Sequence, residues 1–241
     1  MQRLEAGDRW DFCLTSPPYY QQIHYEQVGQ YGIEDNLTTY LIRQVDVFSL
    51  VYEGMAEGGV CWIVIGDTSN NYSPVRAKSQ RRQAGEWKHR RPLEQGFAEK
   101  EVLSVPFRLA EHLRAIGWRV RKMLIWDKGQ SGQPAKGDAP GECHEYVLML
   151  GKWTGRDRPY YNTQSLASTV LHHSPARHPE HPCVFPFSLA EELLASIKTP
   201  NAVVLDPYVG SGTTARACDR LGHCCIGIDL SLAHLGDLAH A

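Results

Sequence analysis

Short apolar runs alternate with stretches of helical spacing along most of the chain, and few folds other than an α/β sheet with covering helices accommodate that alternation. Asp11-Phe12-Cys13-Leu14-Thr15 reads as a strand that ends at a Ser-Pro-Pro turn. Leu37 to Met55 has helical spacing behind Asn36, a good cap, and Val60 to Ile65 is an apolar strand that stops at Gly66-Asp67. Pro106 to Ile116 reads as a helix with proline in its first turn and Gly117 as its stop. Further strands are expected over Arg119 to Trp126, Tyr146 to Leu150, Val203 to Leu205 and Cys225 to Ile228, with helices over Phe187 to Ile197 and Thr213 to Leu221. This pattern predicts a parallel sheet. The 241 residues suffice for one such domain with its own core, so 1–241 is read as a single domain. No apolar run approaches the ~18 residues that a membrane span needs, and the N-terminus has no signal-like apolar segment. Seven cysteines without a C-x-x-C pair fit a reduced, cytoplasmic setting.

Two stretches break the alternation. Residues 68–100 are polar and hold a basic run: Arg76, Lys78, Arg81, Arg82, Lys88, Arg90 and Arg91, against the single acidic Glu86 between positions 76 and 91. Residues 129–182 are rich in Gly, Pro and His and read as an irregular segment. Long irregular stretches in a compact domain are usually functional loops or inserts. With a formal net charge of −2, any grip on nucleic acid has to come from a local patch such as the basic run.

Near the C-terminus, Val203-Val204-Leu205-Asp206-Pro207-Tyr208-Val209-Gly210-Ser211-Gly212-Thr213-Thr214 reads as strand, glycine-rich turn and helix. Glycines allow close backbone approach to a ligand at the carboxyl end of a strand, where open α/β sheets bind. Asp229, 17 residues after Gly212, is expected at the end of the next strand, where a carboxylate can accept from both hydroxyls of a ribose. Gly210-x-Gly212-x-x-Ala215 also meets the loose dinucleotide fingerprint, but only 29 residues follow Gly212, too few for a nucleotide-binding half.

Near the N-terminus, Thr15-Ser16-Pro17-Pro18-Tyr19 closes the first strand. The prolines keep the preceding residues extended and donate no N–H, so the Ser16 hydroxyl and Pro17 carbonyl are available as acceptors. With the Tyr19 ring beside them, they suit a planar amine carried on a nucleobase.

These two motifs, in this order, resemble those of the permuted amino-methylating DNA methyltransferases, in which the catalytic motif precedes the S-adenosylmethionine motif. Further segments are similar: Tyr31-Gly32-Ile33-Glu34 with Tyr40, Gly58-Gly59-Val60 through Gly66-Asp67, Pro106-Phe107-Arg108-Leu109-Ala110, Gly117-Trp118-Arg119-Val120-Arg121, Ile125-Trp126-Asp127-Lys128, His144-Glu145-Tyr146 and His181-Pro182-x-x-Phe185-Pro186. The resemblance spans about residues 10 to 232. It implies a Rossmann-like class I methyltransferase sheet of circularly permuted motif order. The family's further strand, which helps line the cofactor adenine, has no counterpart found in this sequence, so the sheet is expected to lack one edge strand.

On the same resemblance, Ser16, Pro17, Pro18 and Tyr19 are the catalytic set, and serine before Pro-Pro implies the N4 amine of cytosine as target. The adenine-N6 amine on the same scaffold stays open as the alternative, as does a catalytically weak DNA-binding relative. Asp206, Gly210, Ser211, Gly212 and Thr213 are expected around the methionine end of S-adenosylmethionine, with Thr15, Pro207 and Tyr208 beside them. Asp229 is expected on the ribose, and Phe185 and Pro186 over the cofactor. The basic run is a candidate arm on double-stranded DNA, and 129–182 a candidate for target recognition. The resemblance leaves room for a cognate restriction endonuclease and for a monomer or dimer, with no membrane association. His172, His173, His178, His181 and Cys183 match no standard zinc spacing, so no metal is expected. Cys224-Cys225 reads as part of a buried strand, and Trp126-Asp127-Lys128 as strand-end packing with an exposed ion pair.

Overall fold

The computed structural model describes residues 9–24, 27–70, 76–77, 93–129, 139–153, 166–176 and 184–230. In chain order its elements are β1 (Trp10–Thr15), β2 (Ile23–His24), α1 (Leu37–Gly54), β3 (Met55–Ile65), β4 (Arg76–Ala77), α2 (Val105–Ala115), β5 (Arg119–Asp127), β6 (His144–Gly151), β7 (Val170–His172), α3 (Phe187–Ala195), β8 (Val203–Asp206), α4 (Thr213–Leu221) and β9 (Cys224–Gly227). Seven strands form one sheet in the order β7-β5-β6-β3-β1-β8-β9, and the two-residue strands β2 and β4 pair separately.

The fully parallel sheet expected from the alternation is corrected at β6. That strand runs antiparallel to both β3 and β5. Asp127 at the end of β5 lies opposite His144 at the start of β6, so the chain doubles back between adjacent strands, whereas a parallel pair needs a crossover. The remaining pairs, β1 with β3 and β8, β8 with β9 and β5 with β7, are parallel. Within 129–182, β6 falls where a strand is expected over Tyr146 to Leu150, and the short β7 is the departure from the irregular reading.

Period-two alternation decides what each face of the sheet buries. On β3, Cys61, Ile63 and Ile65 point into a core shared with Tyr40, Phe48, Leu109 and Leu113 of α1 and α2. Val60, Trp62 and Val64 point the other way, onto Leu189, Leu193, Leu194 and Ala217 of α3 and α4. The chain therefore leaves β1 toward one face, through α1, and leaves β8 toward the other, through α4. Between the carboxyl ends of neighbouring β1 and β8 this opens a crevice of the kind in which open α/β sheets bind ligands.

Local chemistry places the ends of these elements. Asn36 is extended and its Oδ1 accepts from the Thr39 N–H at 2.8 Å, which starts α1 at Leu37 as expected. Glycines at 212 and 222 flank α4 in the left-handed region, with φ of +76° and +73°. Among the described residues β9 has a neighbour on one side only, and the expectation of a buried strand there is corrected: Cys224 is exposed and Cys225 half-buried. No described helix is long and apolar enough to cross a membrane.

Candidate active site

A cavity of about 240 Å³ opens at the β1/β8 crevice. One wall is Ser16, Pro17, Pro18 and Tyr19, directly after β1; the other is Pro207, Tyr208, Val209, Gly210, Ser211 and Thr213, between β8 and α4. The two motifs are nearly two hundred residues apart in the chain and become neighbours because β1 and β8 pair in the sheet.

The serine wall is braced from behind. The Tyr40 hydroxyl of α1 donates to the Pro18 carbonyl at 3.1 Å, turning that oxygen toward the helix. The Gln21 N–H donates to the Gly32 carbonyl at 2.6 Å. Gly32 has φ +91°, and a Cβ there would meet the Tyr19 carbonyl at 2.9 Å, so only glycine lets the following segment close against the Pro-Pro turn. Glu34 holds that segment: it accepts from the Gly32 N–H at 2.9 Å and pairs with Arg43 at 3.0 Å. Burial pushes the Glu34 carboxyl up, while the hydrogen bonds and Arg43 pull it back down.

Tyr19 is held at its outer end. Its hydroxyl donates to Glu145 Oε2 at 2.5 Å, and the Ser16 hydroxyl donates to the Tyr19 oxygen at 3.4 Å. Glu145 Oε1 is paired with Lys128 Nζ. The Lys128 and Glu145 side chains are only 19 % and 15 % exposed, which corrects the expectation of an exposed ion pair for Lys128, while Asp127 at the same strand end pairs with the exposed His172. Reading along the sequence missed this partner of the serine loop: Glu145 appeared only as part of His144-Glu145-Tyr146, with no role attached.

On the opposite wall, Asp229 lies two residues beyond β9 rather than at its end, lines the cavity, and accepts from the Gly210 N–H at 3.0 Å. Phe185, Ile228 and Leu230 add apolar surface, and Leu230 is 61 % exposed, leaving a hydrophobic face open beside the carboxylate. A nucleoside suits this combination, with its hydroxyls toward Asp229 and its base against the apolar side. Among residues absent from the sequence reading, Gln22, Gln27, Gln30 and Val47 also line the cavity. The three glutamines are single polar residues outside any helix and carry no motif, and Val47 reads in the sequence only as one more apolar position of α1.

Four expected cofactor residues do not line the cavity. Thr15, Asp206 and Gly212 lie behind it, and Pro186 caps α3. Asp206 is the informative one. Its Oδ1 accepts from the Thr15 hydroxyl at 2.6 Å and from the Tyr208 N–H at 3.1 Å, and its Oδ2 accepts from the Thr214 hydroxyl at 2.6 Å. It therefore ties β1, β8 and α4 together behind the glycine-rich loop instead of facing a ligand. Burial raises its carboxyl to about 6 against the pull of those hydrogen bonds.

Of the basic run, Arg76 belongs to β4, whose backbone pairs with β2, while Lys78, Arg81, Arg82, Lys88, Arg90 and Arg91 lie outside the described residues. His172 pairs with Asp127 at 2.8 Å and His173 with Glu192 at 2.6 Å; His178, His181 and Cys183 lie outside the described residues.

The sequence pattern of a family described as DNA methylase matches residues 10–238. The chain belongs to the DNA methylase family. Among similar proteins, the Type II methyltransferase M.SmaI of Serratia marcescens is 32 % identical over 92 % of this chain and 80 % of its own length. The Type II methyltransferase M.Cfr9I of Citrobacter freundii is 29 % identical over 96 % of this chain and 80 % of its own. The seven-stranded fold is that of known methyltransferase structures. PvuII DNA methyltransferase (cytosine-N4-specific) superposes with a TM-score of 0.64 at 16 % identity, covering 93 % of this methylase and 77 % of that chain. The Thermus thermophilus protein TTHA0409 complexed with S-adenosyl-L-methionine gives 0.64 at 22 % identity, over 95 % and 84 %.

Proposed function

We propose that this methylase transfers a methyl group from S-adenosylmethionine to the N4 amine of a cytosine flipped out of double-stranded DNA. One observation carries the reading: Ser16-Pro17-Pro18-Tyr19 and the Pro207–Thr213 loop with Asp229 are opposite walls of one cavity. A nucleoside cofactor and a nucleobase can therefore meet there. The named specificity of the PvuII enzyme and the bound ligand of the Thermus protein support the choice of base and cofactor. The Type II names of M.SmaI and M.Cfr9I support a cognate restriction endonuclease as cellular counterpart, and a DNA substrate supports a cytoplasmic site of action. The catalytic loop preceding the glycine-rich loop along the chain supports the permuted motif order.

The residues fit the cofactor. Asp229 would hold the ribose hydroxyls, Phe185, Ile228 and Leu230 the base, and the glycine-rich loop the amino-acid end. When bound, S-adenosylmethionine supplies an electrophilic methyl group. The rest of the chemistry belongs to the serine wall. The N4 lone pair of cytosine is delocalised into its ring, so the amine is a poor nucleophile. Acceptors at Ser16 and the Pro17 carbonyl hold the amine hydrogens and favour a pyramidal nitrogen with its lone pair directed into the cavity, through alignment and preorganised electrostatics. Unstacking the base costs about a few kcal/mol, part of which the Tyr19 ring returns by stacking on it.

The test is mass spectrometry of nucleosides from unmethylated DNA incubated with the purified protein and S-adenosylmethionine. N4-methylcytosine is expected, with its yield cut by about 100-fold or more in Ser16→Ala. N6-methyladenine in its place overturns the base assignment while keeping the reaction.

A further inference from the structure

We infer that Glu145 is a positioning residue for methyl transfer, setting through Tyr19 the direction in which the Ser16 hydroxyl hydrogen-bonds. The inference rests on the methyl-transfer reading above and adds to it a residue outside both motifs.

A serine hydroxyl has one hydrogen and two lone pairs, and is free to present either to a substrate. Only the lone pairs are useful against an amine that has hydrogens to donate. Glu145 removes the ambiguity in two steps. Ion-paired with Lys128, its carboxylate is acceptor-only and takes the Tyr19 phenolic hydrogen at 2.5 Å, within the range of charge-assisted O–H···O⁻ bonds. The phenol oxygen, its hydrogen committed, accepts from the Ser16 hydroxyl at 3.4 Å. The Ser16 lone pairs are then left to face the cavity.

Lys128 is held in turn, its ammonium 4.8 Å from the centre of the Trp126 ring, and Trp126 Nε1 donates to the His173 carbonyl at 2.8 Å. The chain of contacts therefore runs through the hairpin formed by β5 and β6 and ends at His173, just beyond β7. These strands hold neither the catalytic nor the glycine-rich motif, so the arrangement gives the antiparallel part of the sheet a role at the site. An amide at position 145 presents both a donor and an acceptor, and the order of hydrogens along the chain is lost.

The experiment compares wild type, Glu145→Gln, Tyr19→Phe and the double variant in steady-state methylation of unmethylated phage DNA. Each single variant is expected to lower kcat by about 10- to 100-fold with KM for S-adenosylmethionine unchanged, and the double variant to be no slower than the slower single one. Additive losses overturn the proposal, as does a Tyr19→Phe enzyme with full kcat. The second readout needs no turnover. In ligand-free protein carrying 13Cζ-labelled tyrosine, the signal that Tyr19→Phe removes is expected to shift in Glu145→Gln, and an unmoved signal overturns the proposal. Should wild type make no methylated base, the functional reading fails, and the phenol signal still decides whether Glu145 holds the Tyr19 hydrogen.

Discussion

Asp206 shows how a single residue can be found by its motif and still have a different task. Its place between strand and glycine-rich turn suggested a carboxylate facing a cationic ligand, yet both oxygens are engaged inside the protein by Thr15, Thr214 and Tyr208. Burial raises the folded-state pKa to about 6 from an ordinary value of 3.8, so the folded form holds this proton more tightly than the unfolded chain. Below the lower value both states are protonated. Between the two, stability falls as pH rises, and above about 6 the full penalty of burying the charge, about 3 kcal/mol, is present. Asp206→Asn is expected to remove that slope. Thr214 also lies 3.3 Å from the Leu14 carbonyl, so it can turn its hydrogen there and accept from the new amide. Urea unfolding of both proteins at pH 4 and 7 checks this. A stability difference that does not move in favour of the variant between these two pH values overturns it.

Among elements, β3 positions the Ser16–Tyr19 loop without lending a side chain to its polar contacts. Gly66 directly follows its last residue, Ile65, and a Cβ there would lie 2.9 Å from Cε2 of the Tyr19 ring, which has nowhere to retreat while Glu145 holds its hydroxyl. Gly66→Ala is therefore expected to lower stability by about 1–2 kcal/mol, in the range of overpacked cores, and to reduce kcat more than it reduces affinity for S-adenosylmethionine. Thermal unfolding and calorimetric titration of the cofactor, run beside turnover assays, separate the two effects. Equal losses in affinity and kcat would place the disturbance at the glycine-rich wall instead. Most of these elements were legible in the sequence because capping and periodicity are local: Asn36 starts α1, Gly117 follows α2, and α4 runs from Thr213 to Leu221 as read. Strands β2, β4 and β7 were not legible, being two or three residues long and owing their existence to pairing partners rather than to any pattern of their own.

For the molecule as a whole, charge is the open lever. The chain carries a formal net charge of −2, so attraction to DNA has to be concentrated, and the seven basic residues from Arg76 to Arg91 are the densest run. We expect affinity for duplex DNA to fall steeply with salt. Replacing Arg81, Arg82, Arg90 and Arg91 with glutamine should reduce the slope of log K against log salt by up to about 3.6, at roughly 0.9 per lost phosphate contact. Fluorescence anisotropy of a labelled duplex across a salt series measures it, and an unchanged slope removes this segment from the DNA interface.

The sequence by itself determined the α/β class, the positions of the helices and the two motifs, because strand periodicity, caps and glycine turns act over a few residues. Tertiary structure alone decided that β6 runs antiparallel, that Asp206 is enclosed rather than facing a ligand, and that Glu145 reaches Tyr19. Each of these follows from which strands lie side by side. Pairing of β1 with β8 makes one cavity of two distant motifs, and pairing of β6 with β3 delivers a carboxylate to the serine loop from 126 residues away. Such contacts are settled when the whole sheet closes, by the burial of both its faces, and no local stretch of the chain encodes them.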